Sequence, residues 1–253
     1  MALIHLTIFI IGLAFGSFAS VVIHRLHTKE GGWVMGRSKC PKCDHFLNAR
    51  DLVPLISYII SRFRCHYCGK KISRIYPLLE LSMGSGFLLT AWLTGFKNPL
   101  LLTYYLIITF VFITVSFYDI LFQEIPDEIS LPTIALLASV GLLTPLHTWE
   151  SLLTGLAVPV VFFSILFLGS GGRWLGGGDV RIGAIMGLLL GWPQVIVALF
   201  LAYLLGSVFS VAGLLTKKLT RKSPIPFGPF LFIGAYITLF WGQDILGWYF
   251  GML

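Results

Sequence analysis

The sequence predicts an all-α polytopic membrane protein: about eight transmembrane helices, with one small water-facing module between the first two. Three observations predict it. Of 253 residues, 57% are hydrophobic and only 11% charged, against about 25% charged in soluble domains. Apolar runs recur near residues 3–23, 76–95, 99–118, 129–146, 151–170, 181–191, 193–215 and 227–250. Most approach the ~20 residues that carry a helix across a bilayer. Between the first two runs lies a long polar stretch, residues 24–75. Three segments result: a first transmembrane helix (1–23), a cytoplasmic module (24–75) and the main transmembrane domain (76–253).

The first run has no Lys or Arg in residues 1–10. A cleaved signal needs a basic start and a small-residue cleavage site, so this run reads as a retained span. Basic residues gather on cytoplasmic loops, and residues 24–75 hold eleven of the eighteen Lys and Arg. Arg173, Arg181, Lys217, Lys218, Arg221 and Lys222 mark two further loops. With the N-terminus outside and eight crossings, all these loops face the cytoplasm and only Lys97 lies outside. The run 181–191 is short and could be re-entrant, but that would move the last four charges outside. The charge pattern therefore favours eight crossings. It also accounts for the net charge of +7 as topology plus attraction to anionic headgroups, without nucleic acid. Trp33, Trp92, Trp192, Trp241 and Trp248 read mostly as interfacial anchors.

All four cysteines lie in the polar module, as "CPKC" (Cys40, Cys43) and "CHYCG" (Cys65, Cys68), with 21 residues between the pairs. Doubled C-x-x-C spacing fits a tetrahedral four-cysteine zinc site. Gly69 suits the turn after the second pair. Two disulfides are the alternative, and a reducing cytoplasm opposes them. Four thiolates leave no open position, so the zinc would be structural. His45 and His66 read as bystanders rather than ligands, though either could replace a cysteine.

Few acids sit at membrane depth or at span ends: Glu80, Asp119, Glu124, Asp127, Glu128 and Asp179. Ionisable residues there are costly and mark function. Pro126 breaks the chain after Asp119, so Asp127 reads as a helix-start acid. Glu124 reads as a solvated loop acid. Asp179, in "LGGGDVRIGA", could cap a helix in the same way. Two crossings separate it from Asp119, however, so both acids return to one face at similar depth. Two carboxylates at one site form an aspartic-protease pair that shares a proton. Gly176, Gly177 and Gly178 would then leave clearance for a substrate backbone. Glu80 could meet a substrate or a methyl-transfer site, or simply pair with a loop arginine such as Arg74. Gly16 reads as a close helix contact, and "PFGPF" (226–230) as a helix start with proline in its first turn.

Taken together these residues resemble the type IV prepilin peptidases, bacterial GxGD-type intramembrane aspartyl proteases. The resemblance runs through "GSFASVVIHRL" (16–26), the paired C-x-x-C loop, "RIYPLLEL" (74–81), Asp119 with "IPD", "GGGDVR" (176–181) and "IPFGPFL" (225–231). The family often has Lys where Arg181 stands. The resemblance implies an inner-membrane enzyme that cuts the basic leader from prepilins and pseudopilins at the cytoplasmic face, just before their apolar helix. It maps the catalytic pair onto Asp119 and Asp179. It also implies N-methylation of the new N-terminal residue with S-adenosylmethionine, linked to the cysteine-bearing loop. No glycine-rich dinucleotide-type fingerprint marks a site for that donor. Two alternatives remain: a peptidase without methyltransferase activity, and a proton-coupled transporter. The second lacks the midplane acids and repeats expected of transporters.

Overall fold

The computed structural model describes residues 2–29, 36–96, 98–173, 175–220 and 223–252. Trp33, Lys97, Arg221 and Lys222, used above as anchor or topology markers, lie outside the described residues. Nine α-helices occur among the described residues: α1 (Ala2–Thr28), α2 (Ile56–Ile60), α3 (Ile75–Thr94), α4 (Pro99–Phe122), α5 (Asp127–Leu143), α6 (Trp149–Ser170), α7 (Gly177–Leu190), α8 (Gln194–Leu215) and α9 (Gly228–Gly251). No strand occurs among them, only two isolated bridges, Lys39 with Phe46 and Arg64 with Lys71.

Eight of these helices coincide with the eight apolar runs, and α2 belongs to the polar stretch. Five are long and apolar enough to cross a membrane: α1, α4, α6, α8 and α9. The chain is an all-α, multi-pass membrane protein. The other three helices of the runs are shorter or less apolar. Helix α5 has 17 residues and α7 has 14, while α3 carries Glu80. Large apolar side chains point outward, with Leu100 80%, Leu168 76% and Phe200 65% exposed. In water such surface would drive association; in a bilayer it meets lipid chains. Trp92, Trp192, Trp241 and Trp248 are exposed in the same way.

The chain divides into two compact units, Met1–Phe117 and Tyr118–Leu253. The division falls inside α4, well after residue 76. In the first unit α1 packs along α3. Gly12 and Gly16 stand one turn apart on α1. A Cβ at Gly12 would come within 2.8 Å of the Gly84 Cα, and one at Gly16 within 2.6 Å of the Glu80 Cα. Side chains are therefore excluded at this crossing, as in the small-residue contacts of membrane helices. The hydroxyls of Thr90 and Thr109 join α3 to α4 at 2.8 Å, giving two buried polar groups a partner where lipid offers none.

In the second unit α7 is the centre, packed by α5, α6, α8 and α9. Every residue from Ile182 to Leu190 is buried. A helix that is apolar all round belongs inside. Its 14 residues rise about 21 Å, short of the ~30 Å hydrocarbon core. Helices α6 and α7 touch through glycine: a Cβ at Gly155 would stand 2.7 Å from the Gly191 Cα. This packing holds the first turn of α7, with Asp179, at one end of the unit's core.

Candidate active site and metal site

The cysteine segment folds as two similar knuckles. Cys40 N–H donates to the His45 carbonyl at 2.9 Å, and Cys65 N–H donates to the Lys70 carbonyl at 2.8 Å. Four residues after each first cysteine the chain turns left-handed, at Asp44 (φ 54°) and Gly69 (φ 69°). Glycine takes this conformation freely, and Asp is among the side chains that tolerate it. The sequence advertises the second turn through Gly69 and conceals the first behind an Asp.

All four cysteines are free of disulfides. The Sγ atoms of Cys40, Cys43, Cys65 and Cys68 lie within 4.8 Å of one another. Tetrahedral Zn–S bonds of about 2.3 Å place sulfurs roughly 3.8 Å apart, so the group fits a metal ion with small adjustments. The two histidines stand aside from this group. His45 packs its ring 3.7 Å from Tyr67, and His66 meets the same ring edge-on. At Cys65 burial opposes ionisation. The N–H groups of Cys68 and Tyr67, with the thiols of Cys40 and Cys68, outweigh it and bring this thiol down to about 7. At Cys43 the His45 N–H favours the thiolate, yet burial and the thiols of Cys40 and Cys68 push it up to about 11. A dication relieves this competition by letting all four ionise.

The first unit also contains a cavity of ≈ 180 Å³, walled by α1, α3 and the cysteine segment and lined by Ser17, Asp51, Tyr58, Tyr67, Tyr76 and Glu80 among others. Glu80 is buried, only 8% exposed. Its Oε2 accepts from the Leu55 N–H at 2.8 Å, and the Ser17 hydroxyl donates to the same carboxylate. The partners of this carboxylate are thus Leu55 and Ser17 rather than Arg74. Leu55 has φ 59°, a strained setting for a branched side chain. The Glu80 carboxylate fixes this turn of the module onto the start of α3.

The second unit gathers the remaining acids. Asp119 lies in the last turn of α4 and Asp179 in the first turn of α7; they are 6% and 8% exposed. Oδ2 of Asp119 accepts from the Gly228 N–H at 2.9 Å, where α9 begins. Oδ2 of Asp179 accepts from the Gly176 N–H at 3.1 Å, one half of a capping box. The charge of Asp119 acts on Asp179. A Cβ at Gly228 would stand 2.7 Å from Asp119 Oδ2 and 3.4 Å from Ile182 Cδ1. The starts of α7 and α9 and the end of α4 thus converge on one small volume. Pro229 sits in the first turn of α9, as the "PFGPF" pattern implies.

The three glycines before Asp179 differ from one another. A Cβ at Gly176 or Gly177 would meet nothing nearer than 3.9 Å, an ordinary contact, whereas one at Gly178 would strike the Ile125 side chain at 2.8 Å. The third glycine is therefore a close packing contact, and the first two are not. Two residues of this site were not singled out from sequence. Gly228 looks like one more helix-start glycine. Arg181, read as a topology marker, bonds the Ile125 carbonyl at 3.1 Å and pairs with Asp127. Asp127 itself occupies the first turn of α5.

Two family models match the chain. The Bacterial Peptidase A24 N-terminal domain covers residues 10–94, and the Type IV leader peptidase family covers residues 106–211. Among relatives, a prepilin leader peptidase/N-methyltransferase of Bacillus subtilis is 30% identical, over 97% of each chain. Proteins of the same name from Aeromonas salmonicida and Stutzerimonas stutzeri are 31% and 32% identical. They align over 96% and 95% of this chain and 92% and 91% of their own. No solved structure matches. With such identity sustained from end to end, the chain belongs to the type IV prepilin leader peptidase family.

Proposed function

We propose that Asp119 and Asp179 are the acid pair of an aspartic endopeptidase that removes the basic leader of prepilins and pseudopilins. One observation carries this reading: two buried carboxylates of the same unit, each held by a glycine N–H, lie near enough for one charge to act on the other. Like charges so placed share a proton. The ionised carboxylate takes a proton from water as the water oxygen adds to the scissile carbonyl carbon. The protonated one donates its proton to the carbonyl oxygen. Collapse breaks the C–N bond, the amine leaves with a proton, and one water has been added. The pair titrates as a unit, so neither acid is assigned a fixed role. The lack of any close contact at Gly176 and Gly177 supports an extended substrate backbone passing Asp179.

The basic loops support an inner-membrane orientation with the N-terminus outside, and with the module and both aspartates on the cytoplasmic side. A basic leader would lie among those loops while the apolar pilin helix stays in lipid. Zinc is the ion that four thiolates of this spacing best fit, and its role is to hold the two knuckles together. N-methylation with S-adenosylmethionine is part of the same reading, as the relatives' names support. That donor supplies a methyl group on a sulfonium. The cavity with Glu80 offers what such a molecule uses: carboxylates for the cation and tyrosine rings for a nucleobase. Domain roles follow, with residues 24–75 as the zinc module and 76–253 carrying the peptidase.

The test is incubation with a prepilin, with and without S-adenosylmethionine, followed by intact mass. Cleavage should be lost in Asp119→Asn and in Asp179→Asn while both proteins remain folded. Cleavage at the unmodified rate in either variant would refute the pair. A product without added methyl, at saturating donor, would leave a peptidase alone.

A further inference from the structure

Four buried hydroxyls have no hydrogen-bond partner among the described residues: Thr114, Ser130, Thr238 and Tyr203. The first three sit on short side chains within helices, where a rotation brings them to a carbonyl of the preceding turn. A tyrosine hydroxyl, at the far end of a rigid ring, has no such recourse. Burying it unpaired costs about 1–3 kcal/mol, and lipid offers nothing to relieve it.

The position of Tyr203 is specific. It lies on α8, with its ring 4.9 Å from Phe227 and 5.9 Å from Phe162. Phe227 immediately precedes Gly228, the residue whose N–H holds Asp119. The charge of Asp179 reaches the Tyr203 hydroxyl. Tyr203, Gly206, Phe227 and Phe230 also wall a cavity of ≈ 340 Å³ in this unit. The acid pair itself is rich in acceptors and poor in donors, holding a single shared proton between two carboxylates. A peptide bond entering there brings another acceptor, its carbonyl oxygen. A neutral phenol packed on Phe227, next to the residue that holds Asp119, and within reach of the Asp179 charge, is a donor waiting for one.

We propose that the Tyr203 hydroxyl is a substrate-contacting group. It donates a hydrogen bond to the carbonyl oxygen of the peptide bond held at the acid pair, and that bond strengthens as the oxygen gains negative charge. The inference rests on the acid-pair reading above and adds a catalytic residue to it.

Tyr203→Phe tests it by removing one oxygen. Cleavage of a prepilin should fall roughly 100-fold in kcat, with KM little changed, the scale of losing one donor to a developing oxyanion. Thermal stability should stay equal or rise, because an unpaired buried hydroxyl is gone. A leader peptide with a hydroxyl-bearing tetrahedral isostere at the scissile position should bind weaker by a similar factor. One with a reduced, carbonyl-free bond should bind as before. Cleavage within about twofold of the parent enzyme overturns the proposal. So does a loss of activity matched by a lower melting temperature and unchanged isostere binding, which marks a packing role. Asp119→Asn and Asp179→Asn run alongside: if they still cleave, the acid pair fails. If they are inactive while Tyr203→Phe is not, only the tyrosine's role fails.

Discussion

The cysteine module and the acid site solve one problem by opposite routes. Each must bring like-charged groups together, four thiolates in one and two carboxylates in the other. The module does it locally. Its ligands fall within Cys40–Cys68, and two turns of the same geometry present them. The acid site does it through the fold. Asp119, Asp179 and Gly228 come from three helix ends, with Asp119 and Gly228 109 residues apart. A metal can neutralise the first cluster, and on the proposed reading a shared proton would ease the second. The difference teaches where each is fragile: the module at its ligands, the acid site at the packing that positions it.

The largest effects should dissociate the two. Asp179→Asn should lower leader cleavage by about 10³-fold or more, on the scale of lost acid–base catalysis, and leave metal content unchanged. Cys65→Ser should do the converse. It should release about one metal ion per chain, measured by elemental analysis of the purified protein, since a four-thiolate site seldom survives with three. Methylation should fail in this variant while cleavage is retained to within about tenfold. If cleavage is abolished along with metal, the module supports the peptidase as well as the methyl transfer.

Next in size is Gly228→Val. A Cβ there collides with Asp119 Oδ2 at 2.7 Å, and the added methyls enlarge the clash. The N–H that fixes the carboxylate must move, so cleavage should drop about 10- to 100-fold with little change in metal content. Gly169→Ala, on α6 where a Cβ meets nothing within 4 Å, is the matched control and should leave cleavage and metal content within about twofold.

The two sites were unequally legible in the sequence. The cysteine spacing spells out a four-ligand site because a knuckle is a local structure, and the structure brings all four Sγ atoms together. The acids are legible one at a time, since a carboxylate among apolar runs is expensive. That they share a face is an expectation that rests on counting crossings. What stayed hidden is the support around them. Nothing in "PFGPF" marks Gly228 as the residue that holds Asp119. Nothing near Tyr203 marks its hydroxyl as unpaired. The eight apolar runs do become helices, but α7 is too short and too buried to read as an ordinary span. Its all-round burial depends on four neighbours that hydropathy alone does not arrange. Glu80 is a similar case: its partners are a backbone N–H 25 residues earlier and Ser17, not the nearby arginine.

The smallest expected effect concerns Arg181, which joins the acid site to α5. Its side chain is 31% exposed and that of Asp127 is 56% exposed. A pair so open to solvent contributes little, under about 1 kcal/mol. The guanidinium also bonds the Ile125 carbonyl at 3.1 Å, and the Ile125 side chain fills the space beside Gly178. Arg181 therefore holds the neighbour against which Asp179's own turn is packed. Both contacts are made by Nη1 alone, so a lysine ammonium, with its three donors, keeps the charge and can serve the same two acceptors. Arg181→Lys should keep cleavage within about threefold of the parent. Arg181→Ala, which frees Ile125 as well, should lose more activity than stability: severalfold in kcat, with a melting temperature shifted by only about 1–3 °C. Reversal of that order, with a large melting shift and unchanged kcat, would make Arg181 a structural clamp with no bearing on the acid pair.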